Sequence, residues 1–119
     1  MDIPSGEILV VDDELPIREM LEMVLDQFGY SVETAENGQQ AMEKIDQSTY
    51  DLIITDMKMP VKSGQELLEF VKAEKNLSVP VVGMSGTPWL LEHIGFDAVL
   101  VKPFLMLELK NLVEQVLRK

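Results

Sequence analysis

The sequence has no cysteine and only one histidine in its 119 residues. Disulfide bonds, thiol chemistry and metal sites built from cysteine are therefore excluded. It also lacks any apolar run long enough to cross a bilayer, and acidic residues precede its first apolar segment, unlike a secretory signal. We expect a cytoplasmic protein without membrane insertion. His93 lies near the end of a short predicted helix, where we expect a structural or solvated role.

Basic residues are also scarce. Ten lysines and arginines face 21 aspartates and glutamates, which gives a net charge of −11. A chain this acidic is repelled by a phosphate backbone, so we expect no direct nucleic-acid binding. Any control of DNA would require another domain or a partner. The length is typical of one domain with a substantial core, and we expect residues 1–119 to form a single domain.

Strand-like and helix-like segments alternate along the chain. Apolar runs predict five strands, at 8–11, 31–35, 51–55, 79–84 and 98–101. Apolar residues at helical spacing predict a helix after each strand, at about 16–28, 39–47, 64–75, 87–94 and 104–117. The fourth is short and stops at Gly95. This order predicts an α/β fold: a doubly wound, five-stranded parallel sheet with helices on both faces and right-handed crossovers.

Polar residues follow four of the predicted strands. Asp12 and Asp13 come after the first strand, Asp56 after the third, Ser85 after the fourth and Lys102 after the fifth. These strand ends lie along one edge of a parallel sheet, where ligands bind. Three carboxylates there repel one another unless a cation compensates, and Mg²⁺ is the usual ion beside phosphate. With a lysine and a hydroxyl nearby, the set predicts phosphoryl transfer to Asp56.

The chain resembles the receiver domain of two-component response regulators over nearly its whole length. The resemblance rests on four matching segments in order: Val10 to Glu14, Asp56 to Pro60 with Gly64, Met84 to Gly86, and Lys102 to Phe104. It implies the flavodoxin-like receiver topology, (βα)5, with strand order 2-1-3-4-5. It also implies a phosphorylatable signalling switch that is not an enzyme, apart from self-phosphorylation and autodephosphorylation.

The resemblance assigns a role to each matching residue. Asp56 would accept the phosphoryl group, Lys102 would pair with that group, and Ser85 would hydrogen-bond it. Gly86 would leave room for it to enter. Mg²⁺ would be held directly by Asp13, Asp56 and the backbone carbonyl of Lys58, with Asp12 acting through water. The Lys102–Pro103 bond is cis in such domains.

The sequence departs from the family pattern in two places. Only 17 positions separate Ser85 from Lys102, so about five residues are missing from the fourth helix or the loop before it; a helix shortened that much loses about 7 Å. Val99 stands where the family usually has an aromatic residue that turns inward on activation. We therefore expect the signal to be read from a surface near Trp89, Met106 and Leu107. Trp89 would be partly buried over the sheet edge or, if exposed, an anchor for a partner.

The resemblance names a sensor histidine kinase or phosphotransfer protein as the phosphodonor. A protein partner or detached effector domain would read the signal, and homodimer formation stays open. An adaptor that binds partners without phosphorylation is the alternative, supported by the short fourth helix. A flavin-binding carrier is set aside because Asp12, Asp13 and Glu14 would repel the cofactor's phosphate. For a phosphoester hydrolase, no substrate-capping segment is visible.

Overall fold

The computed structural model describes residues 6–59, 61–91 and 94–118, without the side chain of Leu90. Five strands alternate with helical segments. The strands are β1 (Glu7–Val11), β2 (Ser31–Ala35), β3 (Leu52–Asp56), β4 (Val81–Ser85) and β5 (Ala98–Val101). The α-helices are α1 (Leu15–Gln27), α2 (Gly38–Gln47), α3 (Gly64–Glu69) and α4 (Met106–Leu117). His93, whose role we expected to be structural, lies outside the described residues.

The strands form one parallel sheet in the order β2-β1-β3-β4-β5, which confirms the expected order. In the centre, Ile8 to Val11 pair with Leu52 to Thr55, and Ile53 to Asp56 pair with Val81 to Met84. These central strands are almost wholly buried. Their continuous apolar runs fit this position, since a parallel sheet is covered on both faces. The register brings the carboxyl ends of β1, β3 and β4 to one edge.

Local sequence signals set the starts of the helices. Pro16 occupies the first turn of α1, where its missing N–H is not needed. The Asn37 side chain accepts the Gln40 N–H at 2.8 Å and caps α2. Ser63 and Glu66 form a reciprocal capping box at α3. α3 follows the loop at the carboxyl end of β3, so this capping box marks where the chain after Asp56 becomes helical.

Two apolar clusters cover the two faces of the sheet. The first contains Ile8, Val10 and Ile54 from the strands, with α1 and α4 residues such as Leu21 and Leu109 packed on them. The second contains the alternate strand residues, covered by α2, α3 and the segment after α3. The alternation of side chains along each strand explains the division. The predicted α/β fold is therefore confirmed.

The predicted fourth helix at 87–94 is wrong in extent. Of the described residues in this stretch, Pro88–Leu91 form a 3₁₀ turn, and Ile94 is not helical. Short 3₁₀ pieces of this kind are common connectors. Leu91, at the end of this turn, is buried. Gly95 has φ +116°, a left-handed conformation that ends helices.

Other boundaries also differ from the predictions. The third helix reaches 74 as expected, but its last part, Phe70–Glu74, is π-helical. β4 begins at Val81, because Pro80 has no N–H for the ladder. α4 begins at Met106 rather than Phe104, and Leu105, inside the predicted helix, is 70% exposed. Among the described residues, no helix is long and apolar enough to span a membrane.

Candidate functional site

Three carboxylates and one lysine meet at the carboxyl edge of the sheet. Asp12 follows β1, Asp56 ends β3, and Lys102 follows β5. The Lys102 Nζ lies 3.1 Å from Asp56 Oδ1 and 3.5 Å from Asp12 Oδ2. Oxygen atoms of Asp12, Asp13 and Asp56 lie within 4.8 Å of one another. The structure thus brings together four of the side chains that the sequence predicted to converge.

Asp12 is the most constrained of the acids, with no exposed surface. Its N–H donates to the Ala35 carbonyl at 3.1 Å, and its Oδ1 accepts the Glu14 N–H at 2.9 Å. Its own carbonyl accepts a hydrogen bond from Arg18 Nη1 at 2.7 Å. Its Oδ2 is buried and accepts no hydrogen bond within the described residues. The ion pair with Lys102 is the compensation the structure gives that oxygen.

Burial and charge shift two pKa values in the site. Burial is the main cause that raises the pKa of Asp12 above 3.8, with smaller contributions from the charges of Asp56 and Asp13. The Glu14 N–H and Lys102 oppose this shift without cancelling it. For Lys102, burial alone would lower the pKa. The hydrogen bond and charge of Asp56, together with the charge of Asp12, outweigh burial and raise the Lys102 pKa above 10.5.

The residues present fit a hard divalent cation. Their donor atoms are all carboxylate oxygens, the type that Mg²⁺ prefers. The orphaned Asp12 Oδ2 supplies a buried oxygen that lacks a hydrogen-bond donor. Asp13 is exposed at the mouth of the cluster, so its carboxylate is open to an entering ion. Lys58 lies in the loop after Asp56, also exposed, and the role of its carbonyl stays a prediction.

Ser85 lies at the same edge but makes no hydrogen bond to Asp56 in the part of the chain that the structure describes. It is the last residue of β4 and is 9% exposed. Its Oγ accepts the Thr87 N–H at 2.9 Å and lies 3.1 Å from Thr87 Oγ1. The Ser85 carbonyl accepts the Lys102 N–H at 2.9 Å, which links the ends of β4 and β5. The two Thr87 contacts thus occupy the Ser85 hydroxyl.

Two glycines lie beside residues of the site, Gly64 next to Asp56 and Gly86 next to Lys102. A Cβ on Gly64 would lie 2.3 Å from the Asp56 carbonyl oxygen, so only glycine lets α3 begin this close to β3. A Cβ on Gly86 would meet only the Lys102 carbonyl, at 3.8 Å. Open space beside Gly86 agrees with its expected role at the entrance. The expected cis bond between Lys102 and Pro103 is confirmed.

Arg18 contacts the site and Phe96 packs on the neighbouring strand β4, and the sequence predicted neither contact. Arg18 lies on α1, and because helical side chains point back towards the N-terminus it reaches the Asp12 carbonyl. The Phe96 ring lies on Gly83, where three ring atoms would be 3.1 Å from an added Cβ. The expected aromatic is absent at Val99, and this ring covers the adjacent sheet from a different position.

Residues 8–114 match the model of the response regulator receiver domain. The chain belongs to this family. The fold and phosphorylatable-switch function expected from the resemblance are therefore confirmed at the level of the family. Receiver domains bind Mg²⁺ at an acidic cluster such as the one described above, and they are not in general enzymes.

Similar proteins include transcriptional regulators from bacteria. The transcriptional regulatory protein ResD of Bacillus subtilis is 34% identical over 118 residues, covering 95% of this chain and 48% of ResD. The phosphate regulon regulator PhoB of Pseudomonas aeruginosa is 36% identical, covering 94% of this chain and 52% of PhoB. The chain thus spans about half the length of the curated relatives it matches.

Solved receiver structures superpose closely on the fold. The chemotaxis response regulator CheY4 of Vibrio cholerae has a TM-score of 0.87 and 31% identity, covering 95% of this chain and 99% of that one. The response regulator TrrA of Thermotoga maritima, solved in complex with Mg²⁺ and BeF, has a TM-score of 0.84 and 35% identity. That match covers 92% of this receiver domain and 97% of TrrA.

Proposed function

We propose that residues 1–119 form one receiver domain that accepts a phosphoryl group on Asp56 from a phosphohistidine. The observation that carries this proposal is the pairing of Asp56 with Lys102, at 3.1 Å, beside two further carboxylates. Asp56 is the acid at the end of the central strand β3, and it keeps partial access to solvent. Asp12, by contrast, is fully buried, and its Oδ1 is held by the Glu14 N–H.

In the transfer, an oxygen of the Asp56 carboxylate attacks the phosphorus of the donor. The new O–P bond forms as the N–P bond breaks, and the electron pair of that bond leaves with the imidazole nitrogen, which keeps or takes up a proton. Lys102 leaves Asp56 Oδ1 and pairs with a phosphoryl oxygen, so its charge is retained in the site. Ser85 turns from Thr87, and its hydroxyl donates a hydrogen bond to the same phosphoryl group.

Mg²⁺ would be held by Asp13, Asp56 and the Lys58 carbonyl, with Asp12 acting through water. The ion, when bound, neutralises charge that develops on the phosphoryl oxygens. The chain's own residues contribute by holding the reacting groups and the entrance in position. The Asp12 carboxylate stays fixed by the Glu14 N–H, and Gly86 leaves the entrance open. Hydrolysis of the acyl phosphate by water would reset the domain.

The donor would be a sensor histidine kinase or a phosphotransfer protein in the cytoplasm, and no contact with nucleic acid is required. The signal would pass to a downstream protein partner or an effector domain. A second copy of the chain, in a homodimer, would be one such partner. We place the read-out near Trp89, Met106 and Leu107. These side chains are 64%, 53% and 64% exposed, respectively, which fits a protein-contacting surface.

Intact mass after incubation with Mg²⁺ and acetyl phosphate tests the proposal. We expect one added phosphoryl group in the wild type and none in Asp56→Asn. Asp51→Asn is the matched control, because Asp51 lies just before the opposite end of β3 and accepts the Glu7 N–H at 2.8 Å. This variant should be phosphorylated like the wild type. An adduct that persists in Asp56→Asn would reject Asp56 as the acceptor.

The one-turn segment at Pro88–Leu91 favours a second candidate function. A domain with so little of the fourth helix could act as an adaptor that binds partners through its fold alone. No adduct with acetyl phosphate or with a phosphorylated kinase would favour this adaptor. Partner binding that is equal for the wild type and Asp56→Asn, with and without donor, would support it further.

A further inference from the structure

Asp13 depends on its backbone for its position. Its carboxylate is exposed, and it makes no hydrogen bond or ion pair in the part of the chain the structure describes. Asp12 and Asp56, in contrast, are held by Glu14 and Lys102. The position of the Asp13 Cα therefore depends on the peptide group that joins it to Asp12. This group is planar, so its carbonyl direction sets where the Asp13 Cα lies.

Arg18 is the side chain that holds this peptide group. Its Nη1 donates to the Asp12 carbonyl at 2.7 Å, a short, charge-assisted hydrogen bond. The contact joins the first turns of α1 to the loop that carries both acids. Arg18 makes no ion pair with a described residue, although the chain has 21 acids. The guanidinium thus lies against a neutral carbonyl rather than one of the many carboxylates.

We propose that Arg18 is a positioning residue that orients Asp13 for binding a divalent cation. This inference rests on the proposed function of the acidic cluster. The guanidinium fixes the Asp12 carbonyl, the carbonyl fixes the peptide plane, and the plane places the Asp13 carboxylate within 4.8 Å of Asp12 and Asp56. Without the hydrogen bond, the peptide rotates more freely, and the cation must order Asp13 as it binds. Cation affinity falls as a result.

The test is the Mg²⁺ affinity of the unphosphorylated chain, measured by isothermal titration calorimetry. Arg18→Met keeps the aliphatic stem and removes the donors. We expect its Kd for Mg²⁺ to rise about fivefold, the loss corresponding to one hydrogen bond. Arg118→Met is the matched control with the same change of residue and charge, near the far end of α4. Its Kd should equal that of the wild type.

Three further results separate positioning from a general structural role. Arg18→Lys, which keeps one charged donor, should recover most of the affinity. Phosphorylation of Arg18→Met by acetyl phosphate should need more Mg²⁺ for half-maximal rate but reach a maximal rate near the wild type. A melting temperature that falls while the Mg²⁺ Kd stays unchanged would overturn the proposal. If Arg18→Met does not fold, Arg18→Gln takes its place with the same expected and contradicting results.

The wild type separates the two possible failures. If the wild-type chain binds no Mg²⁺, or binds it equally well as Asp13→Asn, the proposed metal site is wrong. If the wild type binds Mg²⁺ through Asp13 and Arg18→Met binds it equally well, the site stands and only the role of Arg18 is rejected.

Discussion

The Lys102 Nζ donates a hydrogen bond to Asp56 Oδ1 at 3.1 Å, across 46 positions of sequence. The lysine that would pair with the phosphoryl group is thus already paired with the carboxylate that would accept that group. The parallel sheet produces this contact, because β3 and β5 end at the same edge on either side of β4. Transfer needs no large movement of Lys102, only an exchange of one oxygen for another.

We predict that Lys102→Met slows phosphorylation by acetyl phosphate about 100-fold at saturating Mg²⁺. The reason is the loss of a preorganised positive charge from the phosphoryl group in the transition state. Intact mass recorded over time gives the rate. Lys75→Met is the control, because Lys75 pairs with Asp46 on the surface, at 2.8 Å. A wild-type rate in Lys102→Met would show that Lys102 has no part in the transfer.

Asp12→Asn should raise the melting temperature at pH 7 in buffer without Mg²⁺. Burial raises the Asp12 pKa in the folded chain, so the folded state binds this proton more tightly than the unfolded state. The resulting stability is present below the unfolded pKa and lost as the pH rises through the folded one. At pH 7 the ionised carboxylate therefore opposes folding, and the neutral amide removes that penalty.

Thermal unfolding at several pH values checks this prediction. The advantage of Asp12→Asn should shrink as the pH falls towards 3.8, the ordinary value for the group. Added Mg²⁺ should stabilise the wild type more than the variant, since it compensates the same charge. Asp51→Asn is the control. An advantage that does not change with pH would contradict the assigned cause.

The sequence could predict the residues of the site better than their surroundings. Asp12, Asp56 and Lys102 directly follow or end apolar strands, so the strand order alone places them together. Arg18 reaches Asp12 because of the direction of its side chain, and Phe96 reaches Gly83 because of the path of its loop. The spacing of apolar residues in the sequence predicts neither. The predicted length of the fourth helix is too great because apolar residues over so few positions do not distinguish one helical turn from two. The structure has a 3₁₀ turn at Pro88–Leu91.

Gly83→Ala should lower the free energy of unfolding by about 1–3 kcal/mol, as overpacking does. The new Cβ would lie 3.1 Å from three atoms of the Phe96 ring, which covers β4 beside the short turn. Denaturant unfolding measures the change. Gly86→Ala is the matched control, because its Cβ would meet only one atom, at 3.8 Å. Equal stability of the two variants would show that the ring moves aside freely.

Val61→Asn should raise the free energy of unfolding by about 1 kcal/mol. Val61 has φ 71°, in the left-handed region that β-branched residues rarely adopt and asparagine tolerates. Its side chain is 69% exposed, so little burial is lost. Val101→Asn is the control, because Val101 is exposed in a β-strand and has no positive φ. A destabilised Val61→Asn would mean that the Val61 side chain makes a contact worth more than its strain.

Met106→Glu and Leu107→Glu should weaken partner binding or self-association of the phosphorylated domain without slowing its phosphorylation. Both side chains lie outside the inward stripe of α4, which is formed by Leu109 and Val113. A negative charge there would be buried unpaired by any partner that covers the surface, and this is unfavourable.

Analytical ultracentrifugation with and without acetyl phosphate measures self-association, and the kinase and effector can be titrated in the same way. Met23→Glu is the matched control, since Met23 is 58% exposed on α1, beside Glu19, Glu22 and Asp26. If all three variants bind and associate like the wild type, the read-out surface lies elsewhere. If Met23→Glu alone weakens binding, α1 rather than α4 carries the contact.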